Sequence, residues 1–313
     1  MPPDKPDNGK LSGYRLGSVD TVLSVDDVAR AAQKIAEGPG RARLTKLTGN
    51  EPLVRIEGLV AGYGRMEILH GIDLYVGKRQ SLCLIGPNGA GKSTVLHSIY
   101  GFTQISHGSV RIGDKEVTHL GPKDKLRDAG IAYILQDNSV FPDMTVEENL
   151  FMGGFLLNDR HRVHEAAEGV FDKYPRLGER RQQRAGVLSG GERRLLEISR
   201  ALIMKPEVLL VDEPSIGLEP RFIDMVFEIL HDLQHNEGKT IILVEQNAKK
   251  GLEFADIGYV LVSGEIAMAD RGDKLLENPD VGRLFLGGRE TRRCTAQRRN
   301  TAHLSPVTRL FAS

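Results

Sequence analysis

The feature that most constrains this chain is an apolar run that leads directly into a glycine-rich loop and then a helix. Ser81-Leu82-Cys83-Leu84-Ile85 is a short continuous apolar segment, the pattern of a strand covered on both faces. Gly86-Pro87-Asn88-Gly89-Ala90-Gly91-Lys92-Ser93-Thr94 follows at once, and a helical pattern runs on from Ser93 to Tyr100. Glycines at this spacing let successive backbone N–H groups turn inward and form a concave nest for anions. The helix that starts near Lys92 aims the positive end of its dipole at the same point. Lys92 has the reach to meet β- and γ-phosphates, and the Ser93 hydroxyl is placed to ligate Mg²⁺. A plain glycine turn needs neither the lysine nor the hydroxyl. The pattern points to an α/β fold that holds a nucleoside triphosphate.

Two further segments carry chemistry. Val208-Leu209-Leu210-Val211-Asp212-Glu213 is a buried-strand pattern that ends in two carboxylates. Asp212 at the strand tip is placed to hold Mg²⁺, and Glu213 is the candidate base that polarises the attacking water. An apolar strand ending in two acids is weak evidence alone, but beside the first loop it becomes specific. Leu188-Ser189-Gly190-Gly191-Glu192 precedes a strongly helical run. Ser189 reads as an N-cap, and the helix start with its two glycines offers a second anion site.

The rest of the body supports this class. Leu53 to Leu59, Ile72 to Val76 and Val110 to Ile112 alternate and predict an antiparallel sheet early in the chain. Ile131 to Leu135 and Thr240 to Val244 are further continuous apolar runs. Helical patterns cover Thr145 to Leu157, Glu192 to Met204 and Arg221 to His235. Strands alternating with helices predict a parallel core, and the helical stretch over about 137–204 predicts an inserted helical subdomain.

Composition narrows the function classes. Lysine plus arginine and aspartate plus glutamate both count 42, so the formal charge is zero. That zero is the sum of an acidic body and two net-basic ends. No basic stripe crosses the body and the chain has no tryptophan, which argues against a nucleic-acid binder. No apolar run approaches the roughly 18–20 residues that cross a bilayer. The two cysteines, Cys83 and Cys294, are too few for a disulfide scaffold; Cys83 reads as a buried core thiol. Residues 1–50 read as an N-terminal extension with one helix over 24–37, residues 51–288 as the ATP-binding body, and residues 289–313 as a disordered, arginine-rich tail.

With these motifs in order, the chain resembles the ATPases of ABC transporters. LSGG at Leu188–Gly191, between the P-loop and the strand ending in Asp212-Glu213, is similar to that family's signature. The resemblance implies the P-loop ABC ATPase fold, with a mixed or parallel core sheet, an antiparallel β subdomain and an inserted helical subdomain. It implies ATP and Mg²⁺ as ligands. It places Ser189, Gly190, Gly191 and Glu192 across a dimer interface from the other subunit's P-loop. Tyr63 matches the residue that stacks on adenine. Gln136 matches the glutamine that contacts Mg²⁺ and water. Ser215-Ile216-Gly217-Leu218-Glu219 matches the loop that communicates across the dimer. Gln246 stands where the family has a histidine that senses the γ-phosphate; a glutamine can hydrogen-bond there but carries no charge.

Val244-Glu245-Gln246-Asn247, with Met144 to Leu150, Met152-Gly153-Gly154, Tyr174 to Leu177, Gln183 to Gly186 and Leu286-Gly287-Gly288, resembles the ATP-binding subunits of branched-chain amino-acid importers, and within them the shorter of two paired ATPases. That resemblance implies two transmembrane permeases, a second ATP-binding subunit in a hetero- or homodimer, an indirect periplasmic solute-binding protein, no nucleic acid, and a peripheral position on the cytoplasmic face of the inner membrane. Importer ATPases for urea or short amides, and soluble ABC ATPases outside transport, are the alternatives.

Overall fold

The computed structural model describes residues 38–136 and 139–286. The helix expected over 24–37 and the tail at 289–313 lie outside the described residues. The first described element is one the sequence patterning did not suggest, a short helix α1 (Arg41–Leu47). Its Leu44 is fully buried, and Arg41 and Arg43 pair with Asp73 and Asp270 at 2.9 and 2.5 Å.

The strands form two sheets. β1 (Pro52–Tyr63), β2 (Met66–Gly77), β4 (Gln104–Ile112) and β5 (Lys115–Glu116) make an antiparallel sheet in the order β2-β1-β4-β5. β3 (Ser81–Ile85), β6 (Ile131–Ile134), β7 (Val208–Asp212), β8 (Thr240–Val244), β9 (Ile257–Val262) and β10 (Glu265–Arg271) make the core sheet, in the order β10-β9-β3-β8-β7-β6. Its strands run parallel except β10, which pairs antiparallel with β9.

The core strands are apolar throughout because both of their faces are covered. Leu209, Val211, Ile241 and Leu243 join one cluster with the helices, while Val208, Leu210, Ile242 and Val244 join a second with the antiparallel sheet. Successive side chains alternate between the two layers, as strand geometry requires. Cys83 is fully buried, and burial pushes its thiol well above the usual range, which fits a core thiol.

Between β6 and β7 lie α4 (Val146–Gly153), α5 (Arg160–Lys173), α6 (Pro175–Glu179) and α7 (Gly190–Leu202). α2 (Lys92–Tyr100) follows β3, α3 (Pro122–Asp128) precedes β6, and α8 (Pro220–His235) joins β7 to β8. α9 (Ala248–Phe254), α10 (Gly272–Leu276) and α11 (Pro279–Phe285) complete the described residues. In this topology β3, β7 and β8 end on the same edge of the core sheet, and open α/β sheets bind ligands beyond such strand ends.

Candidate active site

The loop after β3 is shaped by its glycines. Gly86 has φ 155°, and a Cβ there would lie 2.1 Å from the Leu261 carbonyl oxygen. Gly91, the N-cap of α2, has φ 101°, a left-handed conformation that L side chains rarely adopt. Lys92 then folds back over the loop, donating from Nζ to the carbonyls of Gly86 at 2.9 Å and Pro87 at 3.1 Å. Burial pushes its ammonium pKa down, opposed by the nearby charges of Glu213 and Asp212.

Asp212 is buried at the tip of β7. Its two oxygens accept from the Ser93 hydroxyl at 3.1 Å and the Tyr133 hydroxyl at 2.8 Å. Glu213 follows with φ 42°, a left-handed conformation in a non-glycine residue. Such strain persists only when its surroundings hold it. Here the Glu213 N–H donates to Val244 O at 2.8 Å, and Gln136 Nε2 donates to Glu213 Oε2 at 3.0 Å.

A cavity of about 510 Å³ gathers these groups. It is lined by Asn88, Gly89, Gly91, Lys92, Ser93, Thr94, Gln136, Glu213 and Gln246, with Ile68 and Ile216. Gly86, Pro87 and Ala90 belong to the same loop but do not line the cavity. Ser93 hydroxyl, Asp212 carboxylate and Gln136 amide are hard oxygen donors, the set that suits Mg²⁺ bound by one or two side chains together with phosphate oxygens. The glycine nest with Lys92 beside it suits a polyphosphate.

The remaining predicted residues sit elsewhere. Ser189, Gly190, Gly191 and Glu192 do not line this cavity. They start α7 with a reciprocal cap: Glu192 N donates to Ser189 Oγ at 3.3 Å, and Ser189 N donates to Glu192 Oε2 at 3.0 Å. Glu192 is buried and also meets Arg180 at 3.0 Å and Arg176 at 3.3 Å. Burial raises its carboxyl pKa, but the Ser189 hydrogen bonds and the two arginines outweigh that and hold it below the usual value. Ser189 and Gly190 face outward, while Gly191 is covered by Phe222, whose Cδ1 would lie 2.2 Å from a Cβ there. Tyr63 stands apart at the β1–β2 hairpin tip, with its hydroxyl against His97 Nδ1.

Several residues that shape the site escape sequence reading. Arg194, buried on α7, donates to the carbonyls of Leu135, Gln136, Glu213 and Pro214 at 2.9 to 3.3 Å and pairs with Glu197 at 2.8 Å. It ties the helix of the second glycine loop to both Gln136 and Glu213. Glu245 is buried beside Gln246 and accepts from the Ser215 hydroxyl at 2.7 Å. Of these, Glu245 alone carries a local signal, a charged residue at the end of the apolar run Thr240–Val244.

Fold and site together define a nucleotide-dependent P-loop ATPase. The family model described as ABC transporter matches residues 69–216. The chain is 46% identical over 226 residues to the high-affinity branched-chain amino acid transport ATP-binding protein BraG of Pseudomonas aeruginosa, covering 72% of this chain and 96% of that one. It is 37% identical over 235 residues to the probable branched-chain amino acid transport ATP-binding protein LivF of Archaeoglobus fulgidus, covering 75% and 99%. A nucleotide-free ATP-binding cassette from an ABC transporter superposes with a TM-score of 0.67 at 28% identity, covering 75% of this chain and 98% of that one. The chain therefore belongs to the ATP-binding proteins of ABC transporters. It binds and hydrolyses ATP, as the P-loop and the strand ending in Asp212-Glu213 led the sequence to suggest, and the expected ABC ATPase fold is the fold observed. Among the described residues no helix is long and apolar enough to cross a membrane.

Proposed function

We propose that this chain is the ATP-hydrolysing subunit of an importer for branched-chain amino acids. It works from the cytoplasmic face of the membrane on two separate permeases and beside a second ATP-binding subunit. The observation that carries this reading is the 46% identity to BraG across 96% of that protein's length.

Each residue then has a task. The backbone N–H groups of the loop from Gly86 to Gly91, other than Pro87, which has none, and the Lys92 ammonium grip the phosphates; Lys92 gives up its two carbonyl acceptors for phosphate oxygens. Ser93, Asp212 and Gln136 would hold Mg²⁺, which would supply positive charge against the triphosphate. Glu213 orients and deprotonates the attacking water, with Gln136 beside it as its hydrogen-bond partner. Gln246 hydrogen-bonds near the γ-phosphate. Ser189, Gly190, Gly191 and Glu192 serve the partner subunit's nucleotide, which agrees with their position outside this chain's own cavity. Tyr63 stacks on the base.

The test is uptake of labelled leucine and labelled urea by cells that carry the intact transporter with wild-type or Lys92→Ala chain. Loss of leucine uptake in the variant supports the reading. Loss of urea uptake alone replaces the substrate class. Co-purification from membranes should recover two permeases and a second ATPase; ribosomes or DNA in their place overturn the transport role.

A further inference from the structure

Tyr63 occupies an exposed place. It pairs with Met66 across a two-residue tip, Gly64-Arg65, and its residue surface is 43% exposed. A ring at such a tip is free to reorient, and a ligand that stacks on it must supply the cost of ordering it. The structure shows one side chain positioned to prevent this. His97 lies on α2, one turn beyond Ser93, and its Nδ1 meets the Tyr63 hydroxyl. The two rings stand edge to face, 82° apart with centroids at 6.0 Å, so the contact uses the hydroxyl and ring edge. His97 is itself held by two more rings, Phe102 at 5.7 Å and Tyr133 at 5.7 Å, both near perpendicular. The Phe102 N–H also donates to the His97 carbonyl at 2.8 Å.

We infer that His97 is a positioning residue: it fixes the Tyr63 ring in the orientation that stacks on the nucleobase, and so ties the base end of the site to the helix that carries Lys92 and Ser93. The inference rests on the proposed base-stacking role of Tyr63. Burial lowers the His97 pKa, opposed by the Asp212 charge, and the neutral ring can accept the Tyr63 O–H at Nδ1.

Equilibrium binding of ATP and of inorganic tripolyphosphate to the full chain tests this. His97→Leu should weaken ATP about fivefold, the scale of one net hydrogen bond, and leave tripolyphosphate unchanged. His97→Asn, which keeps a hydrogen-bonding atom near the Nδ1 position, should restore ATP to within about twofold of wild type. Tyr63→Phe should copy His97→Leu, and the double variant should be no weaker than either single one. Equal loss of ATP and tripolyphosphate in His97→Leu, or additive losses in the double variant, overturns the inference. If His97→Leu does not fold, Tyr63→Phe decides, since it removes only an exposed hydroxyl; unchanged ATP binding then overturns the inference. Tyr63→Ala separates the two readings. Weaker ATP there with normal ATP in His97→Leu sinks only the role of His97, while normal ATP in Tyr63→Ala sinks the stacking role and this inference with it.

Discussion

The chain has two glycine-rich loops at helix starts, and they are built for different work. The loop from Gly86 to Ser93 is concave: Gly86, Gly89 and Gly91 take positive φ, and the loop lines a cavity with Gln136, Glu213 and Gln246. The loop at Ser189 to Glu192 has no positive-φ glycine. Its own cap satisfies it, Gly191 is small because Phe222 lies over it, and Ser189 with Gly190 faces outward. In the function proposed above, the first loop forms this chain's own half-site for one nucleotide. The second is a capped helix start that leaves Ser189 and Gly190 exposed, which fits the proposed role of completing another subunit's nucleotide site. A glycine count therefore says little; backbone conformation and what covers each glycine distinguish a cradle from a contact surface.

The largest expected effect tests the first loop's partner groups. Glu213→Gln should cut ATP turnover roughly thousandfold while ATP still binds, because the base is lost and the phosphate nest is intact. ATP should then hold the subunits as a dimer, which light scattering reads. Unchanged turnover removes Glu213 as the base. A variant that no longer turns over but stays monomeric with ATP breaks the idea that the outward loop completes a second site.

Next comes the link between the loops. Arg194 sits on the helix that the second loop starts, yet it holds the backbone of Gln136 and Glu213 in the first site. Arg194→Met leaves Glu197 buried without its charged partner and should destabilise the fold by about 3–5 kcal/mol. Arg194→Met with Glu197→Met should recover much of that stability, as denaturant unfolding will measure, but not full turnover. Full recovery of turnover in the double variant would show that the two loops are energetically separate. Gly191→Ala and Gly190→Ala then divide the second loop. The former must displace Phe222 and should cost about 1–3 kcal/mol of stability. The latter meets Leu218 only at an ordinary 3.5 Å and should fold normally while weakening the ATP-bound dimer.

What the sequence made legible follows the range of the interactions. The cradle, the strand ending in Asp212-Glu213 and the Ser189 cap depend on neighbours within a few residues, so spacing alone reveals them. Arg194 acts on Gln136 from 58 positions away, and Tyr133 reaches Asp212 across 79. Neither leaves a local pattern. α1 leaves no pattern for a related reason: a seven-residue helix with Leu44 as its one buried side chain has too few apolar positions to show a period. β9 is different. Ile257 to Val262 is a continuous apolar run and carries the same signal that marks β3 and β8.

The smallest effect sharpens the contrast through pH. Glu192 closes the cap of the outward loop, and its carboxyl is held below the ordinary value of 4.5. A carboxyl with a depressed folded pKa binds fewer protons in the folded than in the unfolded state. Its contribution is therefore present in full above the ordinary value and lost as pH falls through the folded one. Glu192→Gln keeps the shape of the cap but not the charge that Arg176 and Arg180 meet. It should lower stability by about 1 kcal/mol at neutral pH, and the gap from wild type should close as the pH is taken below the ordinary carboxyl range. Unfolding curves for both chains at neutral and acid pH measure this. A gap that stays constant with pH would mean that the Glu192 charge adds nothing to the cap, and that the arginines behind it contribute nothing to presenting Ser189 and Gly190.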